Sequence, residues 1–489
     1  MLIVLDCVRS QDFYGGEDAV PGLKASESLA RESVVYPRAV APASWTAPSH
    51  ASIFTGLYPW ESGAFGTNLT PPYVRERTLA ENLGAAGYQT GAFSANPFIS
   101  PHTGLDRGFD TSRWGSWSDC YLRKVTKWVS TPHTSHPGAE LRGSIDGPLR
   151  LSRGVIRDAT LAYPVGLDVG TRLLSRALGL GAHSPSRVAP WIETSINGWL
   201  SEAKRDRPVF CFVNLMDAHE PFVGLPERIT DVASWLGPLV LPHKAGNRNG
   251  KRMMVSRQDG EKLRGLYRVA IGILDSRLKE IFRVFQGIRD WDNTCVVVTS
   301  DHGQAFAEAG ALFHAGGASD AVHRVPLIVK PPLSNGKHRL DRAWTPLTTL
   351  PSIVARAMFG SELTTQLISN MGETSENDHA GSYALSLAEN TLHGSSKSDS
   401  DGGSEPYPEL AVVGYSDAYD VVIDTRTLDC RSLSNGMPDG FGLEPRASGN
   451  GLEPDLRSIA MQAAMKMRES RTSRDHEGIS RHLAQWGYE

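Results

Sequence analysis

Short apolar runs recur along the first two thirds of the chain, and most of them end at a polar or charged side chain. The runs cover residues 2–5, 90–95, 208–215, 295–299 and 325–329. Runs of this length that are rich in Val, Ile, Leu and Phe are typical of strands buried on both faces of a parallel sheet. The pattern therefore predicts several such strands.

Helical patterns lie between these runs. Residues 78–87 begin with a capping box, formed by Thr78 and Glu81, and stop at a glycine. Residues 259–285 repeat apolar side chains at helical spacing. Strands that alternate with helices predict an α/β fold with a large, mostly parallel sheet flanked by helices.

Changes in composition predict the domain organisation. Residues 1–360 carry the α/β pattern, interrupted at 111–190 by a loosely patterned segment that we interpret as an insertion. Residues 361–406 are rich in Ser, Gly, Asn, Glu and Asp, which predicts a flexible loop or linker. Strand-like runs and a last amphipathic helix predict a small α+β subdomain at 407–489.

Charge and composition exclude several classes of protein. The net charge of −4 gives no basic surface for nucleic acid. The five cysteines are scattered without CxxC spacing, so neither a disulfide framework nor a structural zinc site is predicted. No apolar segment reaches the roughly 20 residues that span a bilayer, and the start has no signal-peptide pattern. These features predict a cytoplasmic protein; a leader upstream of residue 1 and the oligomeric state stay open.

Residues 44–56 combine five hydroxyl side chains and one imidazole, and they lead into a short helix. The first turn of a helix has unpaired N–H groups and the positive end of the macrodipole, which favour an anion. The Thr46 hydroxyl is therefore a candidate nucleophile for a phosphate-like or sulfate-like centre. A simple helix-capping role is the alternative.

Polar side chains at strand ends predict a metal site. Asp6 follows the first strand, and Asp301 and His302 follow the strand at 295–299. Parallel strands end at one edge of a sheet, so these groups are expected to meet there, with the Thr46 hydroxyl as a fourth ligand. Mixed oxygen and nitrogen ligands suit Zn²⁺ or Mn²⁺ better than Ca²⁺, with Mg²⁺ also open. Such an ion would lower the pKa of the Thr46 hydroxyl.

Residues 46–59 resemble the sulfatase signature, nucleophile-x-Pro-Ser-Arg-x-Ser-x-x-Thr-Gly. Four further motifs occur in that family's order, namely Leu5-Asp6, Asp217-Ala218-His219-Glu220-Pro221, Ser300-Asp301-His302-Gly303 and Arg324-Val325-Pro326-Leu327. The resemblance implies the alkaline phosphatase superfamily, with one divalent metal ion and a covalent intermediate.

The resemblance also implies roles for individual residues. His219 and His314 would be catalytic, binding the substrate's oxygens or protonating the leaving group. His50, Asn68 and Asn96 are candidates for substrate binding, although each asparagine could equally be a turn residue.

Differences from the family pattern narrow the class of reaction that we expect. Sulfatases oxidise a Cys or Ser nucleophile to formylglycine, and Thr46 cannot form that aldehyde. His50 replaces the motif's Arg, Cys7 replaces a second Asp, and His302 replaces the usual Asn. A Thr nucleophile with Asp-His downstream is similar to the family's phosphodiesterases and phosphotransferases.

We therefore expect cleavage of a phosphoester, a diester or a monosubstituted ester, through a covalent Thr46 intermediate. The substrate would be a small-molecule or a glycan-linked or lipid-linked anionic ester. A sulfuric ester hydrolase and an inactive binding homologue are the alternatives.

Overall fold

In a computed structural model, part of the chain is described at residue level. The described residues are 1–14, 19–65, 76–96, 98–101, 103–115, 191–219, 257–308, 312–314, 319–334, 336, 338–368, 383–389, 410–416, 421–425, 428, 430–432 and 456–472.

The strands and helices follow one another as the alternating pattern predicted. The strands are β1 (Leu2–Leu5), β2 (Val34–Val35), β3 (Ala39–Val40), β4 (Gln89–Ser94), β5 (Thr111–Trp114), β6 (Val209–Leu215), β7 (Val296–Thr299), β8 (Ala305–Phe306), β9 (Leu312–Phe313), β10 (Leu327–Lys330), β11 (Arg339–Leu340), β12 (Thr345–Pro346), β13 (Tyr383–Glu389), β14 (Leu410–Ser416), β15 (Val421–Asp424) and β16 (Cys430–Ser432). The helices are α1 (Ser10–Tyr14), α2 (Lys24–Ala30), α3 (Thr46–Thr55), α4 (Pro59–Ser62), α5 (Leu79–Ala85), α6 (Trp191–Glu202), α7 (Arg257–Ile288), α8 (Asp320–His323), α9 (Leu350–Ile368) and α10 (Leu456–Thr472), with a 3₁₀ turn at Leu347–Thr349.

An eight-stranded sheet forms the centre of the molecule, in the order β11-β2-β10-β7-β1-β6-β4-β5. The five strands from β7 to β5 run parallel to their neighbours, whereas β10 is antiparallel to both β7 and β2. The prediction of a large, mostly parallel α/β sheet is confirmed. Strand β10 is the exception to the parallel direction.

Both faces of β1 are buried, as its uninterrupted apolar run predicted. Ile3 and Leu5 pack in one cluster with side chains of the long helix α7, including Leu274. Leu2 and Val4 belong to a second cluster that contains apolar side chains of α3. Because successive side chains point to opposite faces of a strand, α3 and α7 cover the sheet from opposite sides.

Helix α5 begins with the predicted capping box. The Thr78 hydroxyl accepts a hydrogen bond from the backbone N–H of Glu81, and the Glu81 carboxylate accepts one from the N–H of Thr78. Helix α7 is 32 residues long and extends beyond the predicted 259–285 at both ends. Among the described helices, none is both long and apolar enough to span a bilayer.

The segment predicted as an insertion, 111–190, begins with regular structure. Residues Thr111–Trp114 form β5, which pairs in parallel with β4 at the edge of the main sheet. The strand is short and only partly buried, so it lacks the apolar run by which the other strands were recognised. Residues 116–190 lie outside the described part of the chain.

A separate antiparallel sheet, in the order β13-β14-β15-β16, lies in the C-terminal part of the chain with helix α10 packed against it. Strand β13 falls inside the interval 361–406 that was predicted as a loop or linker. Its side chains at 383–388 are all buried, so tertiary packing overrides the polar composition around it. The rest of that interval beyond Ile368 lies outside the described residues.

Candidate active site

Three parallel strands carry polar side chains to one edge of the main sheet. Asp6 follows β1, Asn96 follows β4 and Asp301 follows β7. Strand β1 pairs with β6 on one side and with β7 on the other. Strand order therefore explains why side chains almost 300 residues apart in sequence come together.

Thr46 is the first residue of α3, and its side chain is 4% exposed. The helix is fixed to the end of β7, because the Ser49 hydroxyl donates a 2.6 Å hydrogen bond to the carbonyl oxygen of Asp301. Helix α3 ends at Gly56, whose φ of +79° suits a residue without a Cβ. The signature motif thus places the Thr46 hydroxyl at a helix N-terminus beside the strand ends.

The side-chain amide of Asn96 connects the hydroxyl to the first carboxylate. Its Nδ2 donates to Asp6 Oδ2 at 2.9 Å and to Thr46 Oγ1 at 3.2 Å. Its Oδ1 accepts the backbone N–H of Phe98 at 3.0 Å. This acceptor contact fixes the orientation of the amide, so both N–H groups face the site.

The predicted metal ligands Asp6, Asp301 and His302 are fully buried and adjacent. Nδ1 of His302 lies 3.0 Å from the carbonyl oxygen of the next residue, which can only accept, so Nδ1 carries the ring proton. Nε2 then presents its lone pair 3.8 Å from Asp6 Oδ1 and 3.5 Å from Asp301 Oδ2. Two carboxylates and an imidazole lone pair that face one another favour a cation between them.

A second observation supports a cation at this position. Asp301 Oδ1 accepts the backbone N–H groups of Cys7 and His302, whereas the buried Oδ2 receives no hydrogen bond from the described part of the chain. Burial and the charge of Asp6 raise the pKa of Asp301 well above its usual value. Burial acts on Asp6 in the same direction, but His219, His302 and the Asn96 amide outweigh it and lower the pKa of Asp6. The donor set therefore fits a divalent metal ion, which would satisfy the orphaned oxygen.

The structure explains why the third residue of the Asp301-His302-Gly303 motif is glycine. A Cβ at this position would lie 2.1 Å from the carbonyl oxygen of Ala321. The backbone N–H of Gly303 donates to Val322 O at 2.6 Å. Glycine is required because the chain after Asp301 and His302 passes directly against the backbone of helix α8.

His50, predicted to bind substrate, lies one helical turn behind Thr46 and is fully buried. Its Nδ1 is 2.9 Å from the Thr46 carbonyl oxygen and 3.5 Å from Asp301 Oδ2. Burial lowers the pKa of His50 to about 4, so the ring is neutral at neutral pH. In the structure this side chain connects helix α3 with Asp301, and its contact with substrate stays a prediction. Asn68 lies outside the described residues.

His219 and His314 lie on the open side of the site, and both are half-buried. Their ring centroids are 5.2 Å apart, and the His314 ring is 4.6 Å from that of His302. Nδ1 of His314 is 3.3 Å from Gln304 Oε1. Two partly exposed imidazoles beside His302 can bind anionic oxygens or supply a proton.

Asp217, two residues after the end of β6, pairs with an arginine and not with the predicted metal ligands. Its Oδ2 accepts a 2.7 Å hydrogen bond from Arg277 Nη1, and the same guanidinium is hydrogen-bonded to both carboxylate oxygens of Glu193. Arg277 is fully buried, and both carboxylates raise its pKa although burial alone would lower it. This ion-pair triad fixes the backbone that leads to His219.

Cys7 also lies in the candidate site, although the apolar run beside it is typical of a small buried side chain without a role there. Its Sγ is 3.2 Å from Asp6 Oδ1, 3.8 Å from His302 Nδ1 and 3.9 Å from His314 Nδ1. The residue has a φ of +67°, and this turn is held by Tyr267, whose hydroxyl donates to the Cys7 carbonyl oxygen at 3.0 Å. In the sequence, the signal for this residue was that Cys7 replaces the second Asp of the sulfatase pattern.

The sulfatase family model matches residues 1–358. The chain is 24% identical over 322 residues to an ulvan-active sulfatase of Formosa agariphila, a match that covers 65% of this chain and 53% of that protein. It is 23% identical over 345 residues to the uncharacterized sulfatase YidJ of Escherichia coli, covering 68% of this chain and 62% of that protein. The chain thus matches only about half to three fifths of the length of these curated relatives.

Solved structures show the same fold. The phosphonate monoester hydrolase of Agrobacterium radiobacter superposes with a TM-score of 0.59 at 17% identity, over 96% of this chain and 95% of that one. Identity at this level shows the fold alone. The family match over residues 1–358, together with the shared fold, shows that the chain belongs to the sulfatase family of the alkaline phosphatase superfamily.

Proposed function

We propose that this chain is a metal-dependent hydrolase or transferase that cleaves a phosphoester, either a diester or a monosubstituted ester, through a covalent Thr46 intermediate. The observation that carries the proposal is the position of the Thr46 hydroxyl, which shares the Asn96 amide with Asp6 at the N-terminus of α3. A hydroxyl held beside carboxylates and helix N–H groups is well placed to attack an anionic phosphorus centre.

In the first step, a bond forms between Thr46 Oγ1 and phosphorus while the bond from phosphorus to the leaving oxygen breaks. The Thr46 proton passes to solvent, and the leaving oxygen takes a proton from His219 or His314. In the second step, water or an alcohol attacks phosphorus from the side that the leaving group vacated. The bond to Oγ1 then breaks, the acceptor's proton passes to the histidine that gave one up in the first step, and Oγ1 takes a proton from solvent, which regenerates Thr46.

Asp6, Asp301, His302 and Thr46 would hold the metal ion. A divalent ion supplies positive charge here that lowers the pKa of the Thr46 hydroxyl and neutralises the anionic substrate. The chain's own donors contribute further: the Asn96 amide stabilises negative charge on Oγ1, and the N–H groups at the start of α3 face the same region. Oxygen and nitrogen ligands favour Zn²⁺ or Mn²⁺ over Ca²⁺.

The identity of the nucleophile favours phosphorus over sulfur. A formylglycine hydrate releases sulfate by re-forming its carbonyl group, and threonine has no such route. A threonine ester must be attacked at the central atom, which is workable for a phosphoryl group and poor for a sulfuryl group. Hydrolysis of a sulfate ester is the second candidate, because the curated relatives are named as sulfatases.

Intact-protein mass spectrometry tests the proposal. The metal-loaded protein is exposed briefly to a methyl aryl phosphodiester and, separately, to an aryl sulfate. We expect a methylphosphoryl adduct on the peptide that contains Thr46, and faster release of the aryl alcohol from the phosphodiester. The retained methyl group distinguishes this adduct from a sulfuryl group.

Thr46→Ala is the matched control, and we expect it to form no adduct and to lose turnover by roughly 10⁴-fold. Faster turnover of the aryl sulfate would favour the sulfatase alternative. Full activity in Thr46→Ala would contradict both.

A further inference from the structure

Arg9, three residues after Asp6 in the sequence, carries a buried guanidinium whose partners come from two parts of the chain. Its side chain is 1% exposed, and its Nε lies 3.2 Å from Asp12 Oδ2. Its Nη1 donates a 2.7 Å hydrogen bond to Glu308 Oε1, and its Nη2 donates one to Gln11 Oε1 at 2.9 Å. A buried arginine is costly unless carboxylates pair with it, so the two carboxylates fix the guanidinium in this position.

Glu308 connects this guanidinium with the hairpin that β8 and β9 form. Its second carboxylate oxygen accepts the backbone N–H of Phe306, in β8. The Arg9 guanidinium also lies over the Phe306 ring, 5.7 Å from the centroid. Burial alone would raise the pKa of Glu308, but the charge of Arg9 and the hydrogen bonds that the carboxylate accepts lower it. The ionised pair therefore fixes β8 to the segment of chain that follows β1.

The same hairpin carries His314 into the candidate active site. Strands β8 and β9 pair in antiparallel, and Phe313, the last residue of β9, directly precedes His314. Nδ1 of His314 lies 3.3 Å from Gln304 Oε1, which can only accept, so Nδ1 donates this hydrogen bond. The other ring nitrogen, Nε2, is then the one that can give a proton to a substrate.

Two residues of the hairpin have a backbone conformation that side chains disfavour. The angle φ is +70° at Ala307 and +63° at Phe313. Neither residue is glycine, and such conformations persist only where the surrounding structure holds them in place. The contact of Arg9 with Glu308 supplies such support, because Ala307 directly precedes Glu308.

The backbone of Arg9 is itself fixed to the turn that follows Asp6. Its N–H donates a 2.8 Å hydrogen bond to the Tyr267 hydroxyl, and that hydroxyl donates to the Cys7 carbonyl oxygen at 3.0 Å. Arg9 thus connects the turn after the Asp6 carboxylate with the hairpin that carries His314.

We propose that Arg9 is a positioning residue for His314, and that His314 gives its proton to the leaving oxygen of the ester. Through Glu308, the guanidinium holds the hairpin where the His314 ring reaches the substrate. In the step itself, the bond between Nε2 and its proton breaks while the bond between that proton and the leaving oxygen forms, and the electron pair stays on Nε2. The inference rests on the proposed function and adds to it a residue that acts through His314.

Leaving groups of different basicity test this role. The substrates are methyl aryl phosphodiesters whose aryl alcohol is either phenol, a poor leaving group, or 2,4-dinitrophenol, which leaves without a proton. We expect Arg9→Gln to lower kcat roughly 100-fold for the phenyl ester and less than about 3-fold for the dinitrophenyl ester, since only the first needs the proton. A general structural defect would lower both, and equal losses overturn the inference.

The His314→Ala background shows whether Arg9 acts through this histidine. We expect His314→Ala to have the same leaving-group dependence, and Arg9→Gln to lower kcat by less than about 2-fold more in that background. Arg268→Gln is the matched control, because Arg268 also pairs with Asp12, at 3.3 Å, from helix α7. It should keep kcat for both esters. A full second loss in the Arg9→Gln/His314→Ala protein overturns the inference.

Hydrogen exchange tests the positioning without turnover. Glu308 is 23% exposed, so Glu308→Gln breaks the same ion pair in a protein that keeps the buried arginine. We expect the amides of the peptide that carries His314 to exchange roughly 10-fold faster in both Arg9→Gln and Glu308→Gln, with those of β4 unchanged. Unchanged exchange in the His314 peptide overturns positioning by Arg9. Faster exchange in a protein whose wild type cleaves neither phosphodiesters nor aryl sulfates would contradict the proposed function, and with it the proton transfer, but not the positioning of His314.

Discussion

The amide of Asn96 donates one hydrogen bond to Asp6 and one to Thr46, and so it holds the proposed nucleophile beside the carboxylate that we propose as a metal ligand. Asn96 follows the end of β4, whereas Asp6 follows β1, so strand order brings the two together across β6. A neutral amide can donate to both oxygens without adding charge. It therefore stabilises the ionised form of each.

Replacing Asn96 by Ala should lower kcat roughly 100-fold and change KM little, because the lost hydrogen bond matters most when Oγ1 carries negative charge. Steady-state kinetics with an aryl phosphodiester measure the effect. Asn82→Ala removes another buried amide, on α5, and should leave kcat near the wild-type value. Equal losses in the two variants would indicate a general structural effect, contrary to this prediction.

The buried guanidinium of Arg277 gives a prediction for stability. Arg277→Gln leaves Glu193 and Asp217 buried without their shared cation, so we expect a loss of about 3 kcal/mol in the free energy of unfolding. Arg283→Gln is the control on the same helix. Arg283 is 73% exposed and pairs with Glu280, so its loss should cost less than about 0.5 kcal/mol. Urea unfolding of both variants separates the outcomes, and similar losses would contradict the prediction.

Asp301→Asn should have opposite effects with and without metal. In the metal-free protein, the pKa of Asp301 is raised, so stability is full below the unfolded-state pKa and falls as pH rises through the folded-state value. The amide removes this loss, and we expect the variant to be more stable than wild type in EDTA at neutral pH by about 1 kcal/mol. With metal added, wild type should gain stability that the variant does not.

Thermal unfolding with EDTA and with excess Zn²⁺ measures both effects. A variant that is less stable than wild type under both conditions would show that the Asp6–Asp301 repulsion is not significant. An equal gain from Zn²⁺ in the two proteins would remove Asp301 from the ligand set.

The sequence predicted the main sheet and the convergence of several candidate site residues at one of its edges, because strand ends are a local signal. The apolar runs that end at Asp6 and at Asp301-His302 define strands, and parallel strands must end at one edge of the sheet. The same rule does not specify loop paths. Asn96 was therefore only one of two asparagine candidates, and its contact with Thr46 became visible in the structure.

Other features depend on long-range packing that no local pattern contains. Arg277 reaches Asp217 across 60 residues from the middle of an amphipathic helix, where an arginine is usually solvated. Strand β13 lies within a polar stretch and is defined by its pairing with β14. Cys7 resembled a small buried hydrophobe, because its position beside His314 depends on the positive-φ turn that Tyr267 holds.

His323 gives the last prediction, on acid stability. The side chain is fully buried, and neither ring nitrogen has a hydrogen-bond partner among the residues that the structure describes. Burial lowers its pKa to about 3. In the unfolded chain this histidine takes up a proton near pH 6.5, whereas in the folded protein it stays neutral. The contribution of the neutral His323 to the free energy of unfolding is therefore complete above about pH 6.5 and is lost as pH falls. Between about pH 8 and about pH 5 the loss is about 2 kcal/mol.

His323→Phe should therefore lose about 2 kcal/mol less than wild type over this interval in EDTA, measured by urea unfolding. His338→Phe, at an exposed position, is the control and should follow wild type. Parallel curves for wild type and His323→Phe would mean that His323 is protonated in the folded protein.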